Sequence, residues 1–549
     1  MRHLLKVHPS DNVIVALTDL SKGQTLTYEG ETYILQDNIQ QKHKFVTEDL
    51  NTGDPVIMYG VLVGKAMHPI PKGGLIHTQN LKHAAADYSG KQKDYTWTPP
   101  DVSKWKDRTF MGYLRSDGRV GTANYWLFVP TVFCENRNLE VIKEALNKEL
   151  GYGQSEKYKN YTRQLISMYE SGQSPDTMLS ADLSLQEEMF HTKRLFPNID
   201  GIKFLTHQGG CGGTRQDSAV LSKLLASYAD HPNVAGVTVL SLGCQHLQMD
   251  DFKQEIFQRN SKFDKPLLMF EQQKSQSEES LISEAIKQTF VHLVKANTQQ
   301  RQPAPLSKMV LGVKCGGSDG FSGISANPAV GYAADLLVGL GGTVLLAEFP
   351  ELCGVEQELA DRCINNEIAA KFVHLMKSYN AQAESVGSGF HANPSPGNIR
   401  DGLITDAIKS AGAAKKGGTA PIVDVLDYTE PATKPGLNLV CTPGNDVEAT
   451  TGKTASGSTL ILFTTGLGTP TGNPVCPVIK VATNSDLARR MADIIDIDTG
   501  DIITGQTTIE QKGEEILEYC IRAASGLEKI KSVELGQDDF IPWKRGVSL

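Results

Sequence analysis

The chain has 549 residues, too many for a single hydrophobic core, so two to four domains are expected. Apolar residues make up 40% and charged residues 21%, an ordinary globular balance, and a net charge of −9 argues against nucleic acid or an anionic membrane surface as partner. No apolar stretch approaches the roughly 18 residues of a membrane helix, the opening MRHLLKVHPSDN turns polar too soon for a secretion signal, and nine scattered cysteines fit a reducing compartment, so a cytoplasmic protein is expected.

Residues 1–88 read as a small β module: short apolar runs (VIVAL, TYIL, VIMYGVLVG) separated by Gly and Asp turns. Residues 89–107 are polar, contain a Pro pair and lack periodicity, and read as a flexible linker. From residue 108 the pattern changes to strand–helix alternation, the mark of α/β domains with mainly parallel sheets. A first α/β domain is expected over 108–303, with a helical excursion at Lys157–Glu188 and a boundary at the tail QQRQPAP, and a second over 304–549. In the second, a strand is expected at Met309–Val313, a helix at Ala329–Gly339, and strands at Thr343–Glu348, Ile422–Leu426, Leu437–Cys441 and Thr459–Thr464.

Four cysteines close apolar runs that read as buried strands: Cys134, Cys211, Cys244 and Cys315. Ligands of open parallel sheets bind beyond the carboxyl ends of the strands. If the four strands share one sheet, the four thiolates face one crevice and suit a soft metal or an iron centre. The loop His207-Gln208-Gly209-Gly210-Cys211-Gly212-Gly213-Thr214 sets a cysteine among four glycines ahead of a helix, and His207 is placed to act as a base. Ser318 and Asp319 follow Cys315 in a second Gly-rich turn. Asn398, in a rigid Pro-containing turn, and Asp446, after a strand, add polar groups at strand ends. Such clusters suit a polyhydroxylated ligand, whose hydroxyls need partners when desolvated. Cys353, Cys363, Cys441, Cys476 and Cys520 lack this context and read as core residues.

With these segments in view, the chain resembles the altronate/galactarate dehydratase family, sugar-acid hydro-lyases with an N-terminal SAF module. The resemblance covers nearly the whole chain. It rests on Asp11-Asn12-Val13, His43-Lys44, Asn124, Cys134, His207, Gly210-Cys211, Gly243-Cys244, the run from Cys315 to Asp319, Ala326-Asn327-Pro328, Glu348, the run from Asn393 to Asn398, Asp446 and Gly468-Thr469-Pro470. The run Pro443–Asp446 and the closing Lys544–Leu549 are more similar to the altronate branch. The resemblance implies dependence on iron, as Fe²⁺ or an iron–sulfur centre, or on manganese. It also implies loss of water from D-altronate or a related sugar acid, through an enediolate, to a 2-keto-3-deoxy acid, and a homo-oligomer. That chemistry needs a base for the C2 proton, His207 first and His43 second, the latter reaching across a domain interface, and a Lewis acid. Ser318, Asp319, Asn398 and Asp446 would bind hydroxyls. Two departures bear on the substrate: Gly466-Leu467-Gly468-Thr469-Pro470-Thr471-Gly472 lacks the family's arginine and tyrosine, and His207-Gln208-Gly209-Gly210-Cys211 replaces His-Thr-Tyr-Gly-Cys. The alternatives are carbon–sulfur lysis of a sulfonated hydroxy acid and a sugar-acid binding protein without catalysis.

Overall fold

A computed structural model describes residues 3–185 and 193–546. The N-terminal module is built of short antiparallel strands: a sheet of Leu4–Leu5, Val13–Ala16 and Lys44–Val46, the hairpin Thr25–Tyr28 with Glu31–Ile34, and a sheet of Pro55–Met58, Val61–Ala66 and Leu81–Lys82. Two apolar seams drive it together. One is its own, around Ile14, Phe45 and Leu35; the other, with Val15, Met58 and Val63, is continuous with the core of the C-terminal domain. Residues 89–107 are not loose. Lys91 Nζ donates to the Asp361 carbonyl at 2.6 Å, Tyr95 Oη to the Thr419 carbonyl at 2.6 Å, Trp97 Nε1 to Thr419 Oγ1 at 3.0 Å, and Trp105 is buried. The polar composition that suggests a flexible linker therefore serves a strap bound to the C-terminal domain.

The strap runs into strand Thr109–Leu114, which pairs antiparallel with Gln302–Pro305. The chain thus enters and leaves the middle domain on neighbouring strands, and the QQRQPAP tail forms the returning one. Between them lies a four-stranded parallel sheet in the order Gly201–Phe204, Tyr125–Pro130, Val234–Ser241, Leu267–Glu271. Its central strands are buried along their whole length, as expected for parallel strands covered on both faces. The helical excursion resolves into Lys157–Glu170 and Pro175–Ser180; its last residues, 186–188, lie outside the described residues, as do 547–549 of the closing motif.

The C-terminal domain carries a seven-stranded, wholly parallel sheet in the order Ile422–Leu426, Gly436–Val440, Thr343–Leu346, Val310–Cys315, Leu460–Thr465, Val478–Ala482, Ile497–Asp498. The strand ending at Cys315 is central, with the chain order diverging on either side of it, the place where such sheets bind ligands. The four cysteine-bearing strands therefore do not share one sheet: three lie in the middle domain and Val310–Cys315 lies here.

The two parallel sheets meet at their amino ends. Thr122 Oγ1 donates to the Thr459 carbonyl at 2.7 Å and Asn233 Nδ2 to the Val475 carbonyl at 2.9 Å. Helices Arg215–Asp230 and Asp446–Ala455 run side by side in the same direction, Tyr228 Oη reaching the Thr451 carbonyl at 3.2 Å and His231 Nε2 the Ser458 carbonyl at 2.9 Å. Both helices begin at strand-end loops, so the carboxyl edges of the two sheets open toward the same side. Among the described residues no helix is long and apolar enough to cross a membrane.

Candidate active site

At the middle-domain edge, Cys134, Cys211 and Cys244 follow three adjacent strands, and all three are exposed free thiols. Two of the loops are stitched together: the Phe133 N–H donates to the Gly209 carbonyl at 3.0 Å and Asn136 Nδ2 to the His207 carbonyl at 2.8 Å. Gly210 has φ of 96° and lies so close to Thr131 that a β-carbon would collide with the Thr131 carbonyl. Only glycine allows this approach, which explains the residue that directly precedes Cys211. Helices Asn136–Glu149 and Arg215–Asp230 start just after Cys134 and Cys211, and helix N-termini favour the negative charge of thiolates.

His207 is buried beside this edge. Its Nε2 lies 2.8 Å from the Pro130 carbonyl, and its Nδ1 accepts the Gly209 N–H at 3.1 Å. The proton therefore sits on Nε2, and burial lowers the pKa to about 4, the Pro130 contact only partly opposing it. With one nitrogen donating to backbone and the other accepting from it, no lone pair faces a substrate; the ring braces the cysteine loop. A cavity of about 520 Å³ opens next to it, lined by His207, Cys211, Asp217, His246, Phe540 and Trp543. The tail that closes this cavity touches both domains. Arg545 and Gly546 N–H groups donate to Asp217 Oδ1 at 3.2 and 2.9 Å, the Arg545 guanidinium pairs with Asp427 at 2.7 Å, and the Trp543 N–H reaches Tyr428 Oη at 3.1 Å.

The C-terminal edge is charged and largely buried. Glu348, fully buried, follows strand Thr343–Leu346 in a left-handed conformation with φ of 72°. A non-glycine residue held there costs on the order of 1–3 kcal/mol and persists only when its surroundings impose it. The surroundings are three buried lysines: Lys314 is paired with Glu348, Lys416 lies 3.1 Å away and Lys453 lies 3.7 Å away. Lys314 also reaches Asp446 at 2.9 Å, and Lys409 reaches Glu351 at 3.0 Å. Burial alone would raise the Glu351 carboxyl, but Lys409, Lys314 and Lys416 outweigh it and hold it near 2. Lys453 makes no hydrogen bond, and burial lowers its pKa to about 8.

Cys315 sits inside this cluster, 3.3 Å from Glu351 Oε2 and 3.1 Å from Lys416 Nζ, and burial raises its pKa. Cys315, Glu348 and Glu351 are near enough to share an ion, but an ammonium already occupies that place: Lys416 Nζ is 3.1 Å from both Cys315 Sγ and Glu348 and 4.0 Å from Glu351. The donor set does not fit a metal cation. The expected four-cysteine centre thus loses Cys315, which belongs to another sheet and another charge environment.

The N-terminal module closes this edge. Lys42 pairs with Asp319 at 3.0 Å and Asp401 at 3.3 Å, and the fully buried Lys44 donates to the Gly402 carbonyl at 2.6 Å. Burial brings the Lys44 pKa down to about 7. His43, between them, has Nδ1 3.3 Å from the Gln41 carbonyl, and burial lowers its pKa, so the ring is neutral at neutral pH. Asp319 is fully buried, with Oδ1 accepting from the Phe321 N–H at 3.2 Å and Ser322 Oγ at 3.0 Å. Asn398 is occupied as well: its Oδ1 caps the Ser395 N–H at 3.1 Å and its Nδ2 donates to the Ser318 carbonyl at 2.9 Å. Asp446 keeps 28% of its side chain exposed. Sequence reading gave no role to Lys42, Lys409, Lys416 and Lys453. The only signal for the last two is a lysine among small residues, AAKKGG and TGKTAS, where a solvated helix would carry more polar side chains.

Comparison with known proteins covers all three parts of the chain. Residues 2–84 match the altronate/galactarate dehydratase SAF domain, 112–297 the second domain of D-galactarate dehydratase/altronate hydrolase, and 306–548 the C-terminal domain of D-galactarate/altronate dehydratase. Altronate dehydratase of Bacillus subtilis is 33% identical over 529 residues, 96% of each chain. Altronate dehydratase of Escherichia coli is 31% identical over 524 residues, 95% of each chain. Galactarate dehydratase (L-threo-forming) of Escherichia coli is 32% identical over 539 residues, 97% of this chain and 94% of that protein. From its module architecture, its strand-end motifs and these full-length matches, the chain belongs to the altronate/galactarate dehydratase family.

Proposed function

We propose that this chain removes water from D-altronate, or a closely related aldonate or aldarate, to give a 2-keto-3-deoxy acid. The relatives supply the reaction class. What supports the reading is that the two strand-end edges face the same side, one bearing three exposed thiols and the other a lysine–carboxylate cluster with a partly open Asp446. Carbon–sulfur lysis and a non-catalytic binding role are not favoured, because the relatives matching the chain at near full length carry dehydratase names. A cytoplasmic setting agrees with nine free cysteines, and the family resemblance supports a homo-oligomer.

Cys134, Cys211 and Cys244 would hold iron, ferrous or in an iron–sulfur centre. Among the described residues their three sulfurs are not all within 4.8 Å of one another, so the loops would have to draw together around the ion; thiolate softness suits iron better than manganese. When bound, iron would supply Lewis acidity toward the substrate oxygens. The chain's own groups do the rest. Lys314, which reaches Asp446, draws the sugar-acid carboxylate, Ser318 and Asp446 meet hydroxyls, and Asp319 and Asn398 hold the loop that presents them. A base takes the C2 proton and returns it to the C3 hydroxyl as the C3–O bond breaks, so that water departs, and the resulting enol becomes the ketone as its hydroxyl proton moves to C3. Of the two histidines His43 fits the base role, since it is neutral and only its Nδ1 is near a backbone acceptor, whereas His207 is the brace of the thiol edge.

The test compares His43→Asn with His207→Asn for turnover and iron content. Loss of a general base costs about 10²–10⁴-fold in rate. His43→Asn is expected to lose turnover by that factor with iron retained, and His207→Asn to lose iron together with turnover. Unchanged turnover in His43→Asn would remove it from the mechanism.

A further inference from the structure

A second group of potential ligands lies at the junction of the N-terminal module and the C-terminal domain, away from the three thiols of the middle domain. His83 directly follows strand Leu81–Lys82 of the module. Cys353 closes the short turn Phe349–Leu352, and Asp406 opens helix Asp406–Ala414 behind its cap Thr405. One ring nitrogen, the thiol sulfur and one carboxylate oxygen all lie within 4.8 Å of one another. The three segments are pressed together: Gly354 has φ of 100°, and a β-carbon there would stand 2.9 Å from Ala407 Cβ and 3.7 Å from Ala85 Cβ.

Asp406 is 1% exposed, and among the described residues no N–H or O–H group donates to either of its carboxylate oxygens; the polar group beside it is the Cys353 thiol. Glu356, also buried, stands near Cys353 with its Oε2 accepting the Gly354 N–H at 2.6 Å. The nearest cation on the same helix, Lys409, is committed to Glu351 and Asn393, each at 3.0 Å. The contrast with the Cys315 group is direct: there an ammonium fills the space between thiol and carboxylates, and here, among the described residues, none does. Carboxylates buried without a partner cost several kcal/mol unless a cation or hydrogen bonds compensate them. A ring nitrogen, a thiolate and carboxylate oxygens are the donors of four-coordinate zinc-type sites, with bonds of about 2.0–2.3 Å.

We propose that His83, Cys353 and Asp406, with Glu356 as fourth donor, bind one zinc-type divalent cation that fastens the N-terminal module to the C-terminal domain. A site closed by four protein ligands leaves no position for substrate, so the ion is structural. Its consequence for the reaction is geometric, because the module it fastens carries Lys42, His43 and Lys44 to the charged edge, and Cys353 lies two residues beyond Glu351. The assignment does not depend on which metal serves the dehydration.

The test uses full-length chain stripped of metal and titrated with Co²⁺ without oxygen, the thiolate-to-cobalt absorption and the melting temperature being read together. The background carries Cys134→Ser, Cys211→Ser and Cys244→Ser, so that the middle-domain thiols are silent. One equivalent of Co²⁺ with a tetrahedral thiolate spectrum, and a higher melting temperature on binding, is the expected result. Adding Cys353→Ser should abolish the thiolate band, and Asp406→Asn should weaken binding by at least about tenfold, since even outer-shell partners of metal ligands contribute 10–100-fold. His83→Gln serves as an independent variant should Cys353→Ser fold poorly, and is expected to weaken binding likewise. Absence of bound cobalt in the background chain, or a thiolate band that survives Cys353→Ser, would overturn the site.

Discussion

The two strand-end edges of this protein start from the same local pattern, an apolar strand that ends in or shortly before a cysteine, and place that cysteine in opposite surroundings. Cys134, Cys211 and Cys244 emerge exposed at the ends of adjacent strands, ahead of helices. Cys315 emerges into a buried cluster where Lys416 lies 3.1 Å from its sulfur and Glu351 3.3 Å. What separates them is contributed from a distance: the lysine beside Cys315 lies 101 residues further along the chain. A thiol is left open to solvent or locked among charges according to the groups that tertiary structure brings to it.

The largest expected effect breaks this contrast at the thiols. Serine at Cys134, Cys211 or Cys244 should remove iron and turnover together, whereas Cys315→Ser should retain its iron. Metal analysis of anaerobically purified variants checks both arms. Iron lost equally from all four variants would mean that the two edges share one centre.

Next in size is Glu348→Gln, which strips the charged edge of the carboxylate that compensates Lys314, Lys416 and Lys453. Removing one partner of a buried ion pair typically costs about 3–5 kcal/mol, and relief of the left-handed backbone cannot offset it because glutamine has the same conformational limits. Urea denaturation should show that loss. A loss below about 1 kcal/mol, the usual worth of an exposed pair, would mean that the lysines find other partners.

Much of the architecture is legible in the sequence because buried parallel strands are near-continuous apolar runs. Ile422–Leu426 stands as expected, and the other C-terminal strands lie within two residues of their expected ends. The partition of the cysteine strands into two sheets is not legible, since nothing local to a strand names its neighbours. Nor is the use of the His207 ring, whose partner Pro130 lies 77 residues earlier. The strap misleads through composition: residues 89–107 are polar because they run over the surface, yet their hydrogen bonds go to Asp361 and Thr419, more than 260 residues away. Cys353 reads as core in sequence and stands half-buried beside Asp406 in the fold.

A smaller effect sharpens the role of His207. Burial holds its folded pKa near 4, below the ordinary value of 6.5. The unfolded chain therefore binds more protons between those values, so stability is fully present above about pH 6.5 and falls as the pH drops toward 4. Each tenfold difference in proton affinity between folded and unfolded chain is worth about 1.4 kcal/mol, so this one group accounts for a loss of roughly 3 kcal/mol. His207→Asn should be less stable at pH 7 and show a shallower decline between pH 6.5 and 4 in thermal melts. An equally steep decline would assign the acid sensitivity to other groups, the buried His231 first among them.

The smallest expected effect concerns substrate choice at the charged edge. The loop Gly466–Gly472 carries Leu467 where the family has arginine, and Leu467 is 45% exposed. Its backbone is held independently of that side chain, because Thr465 Oγ1 accepts the N–H groups of Leu467, Gly468 and Thr469 at 3.3, 3.0 and 3.2 Å. Leu467→Arg should therefore leave the loop in place and add a bidentate carboxylate partner. An aldarate, with a carboxylate at each end, gains from a second cation; an aldonate, with one carboxylate already drawn by the buried lysines, gains little. A charge-assisted hydrogen bond is worth about 1.5–3 kcal/mol net, and exposure argues for the lower end, so kcat/KM for galactarate relative to altronate should rise about tenfold. The ratio of the two kcat/KM values, measured in one preparation, reads this without interference from partial metal loading. An unchanged ratio would place the distal end of the substrate away from this loop and toward the cavity beside Cys211.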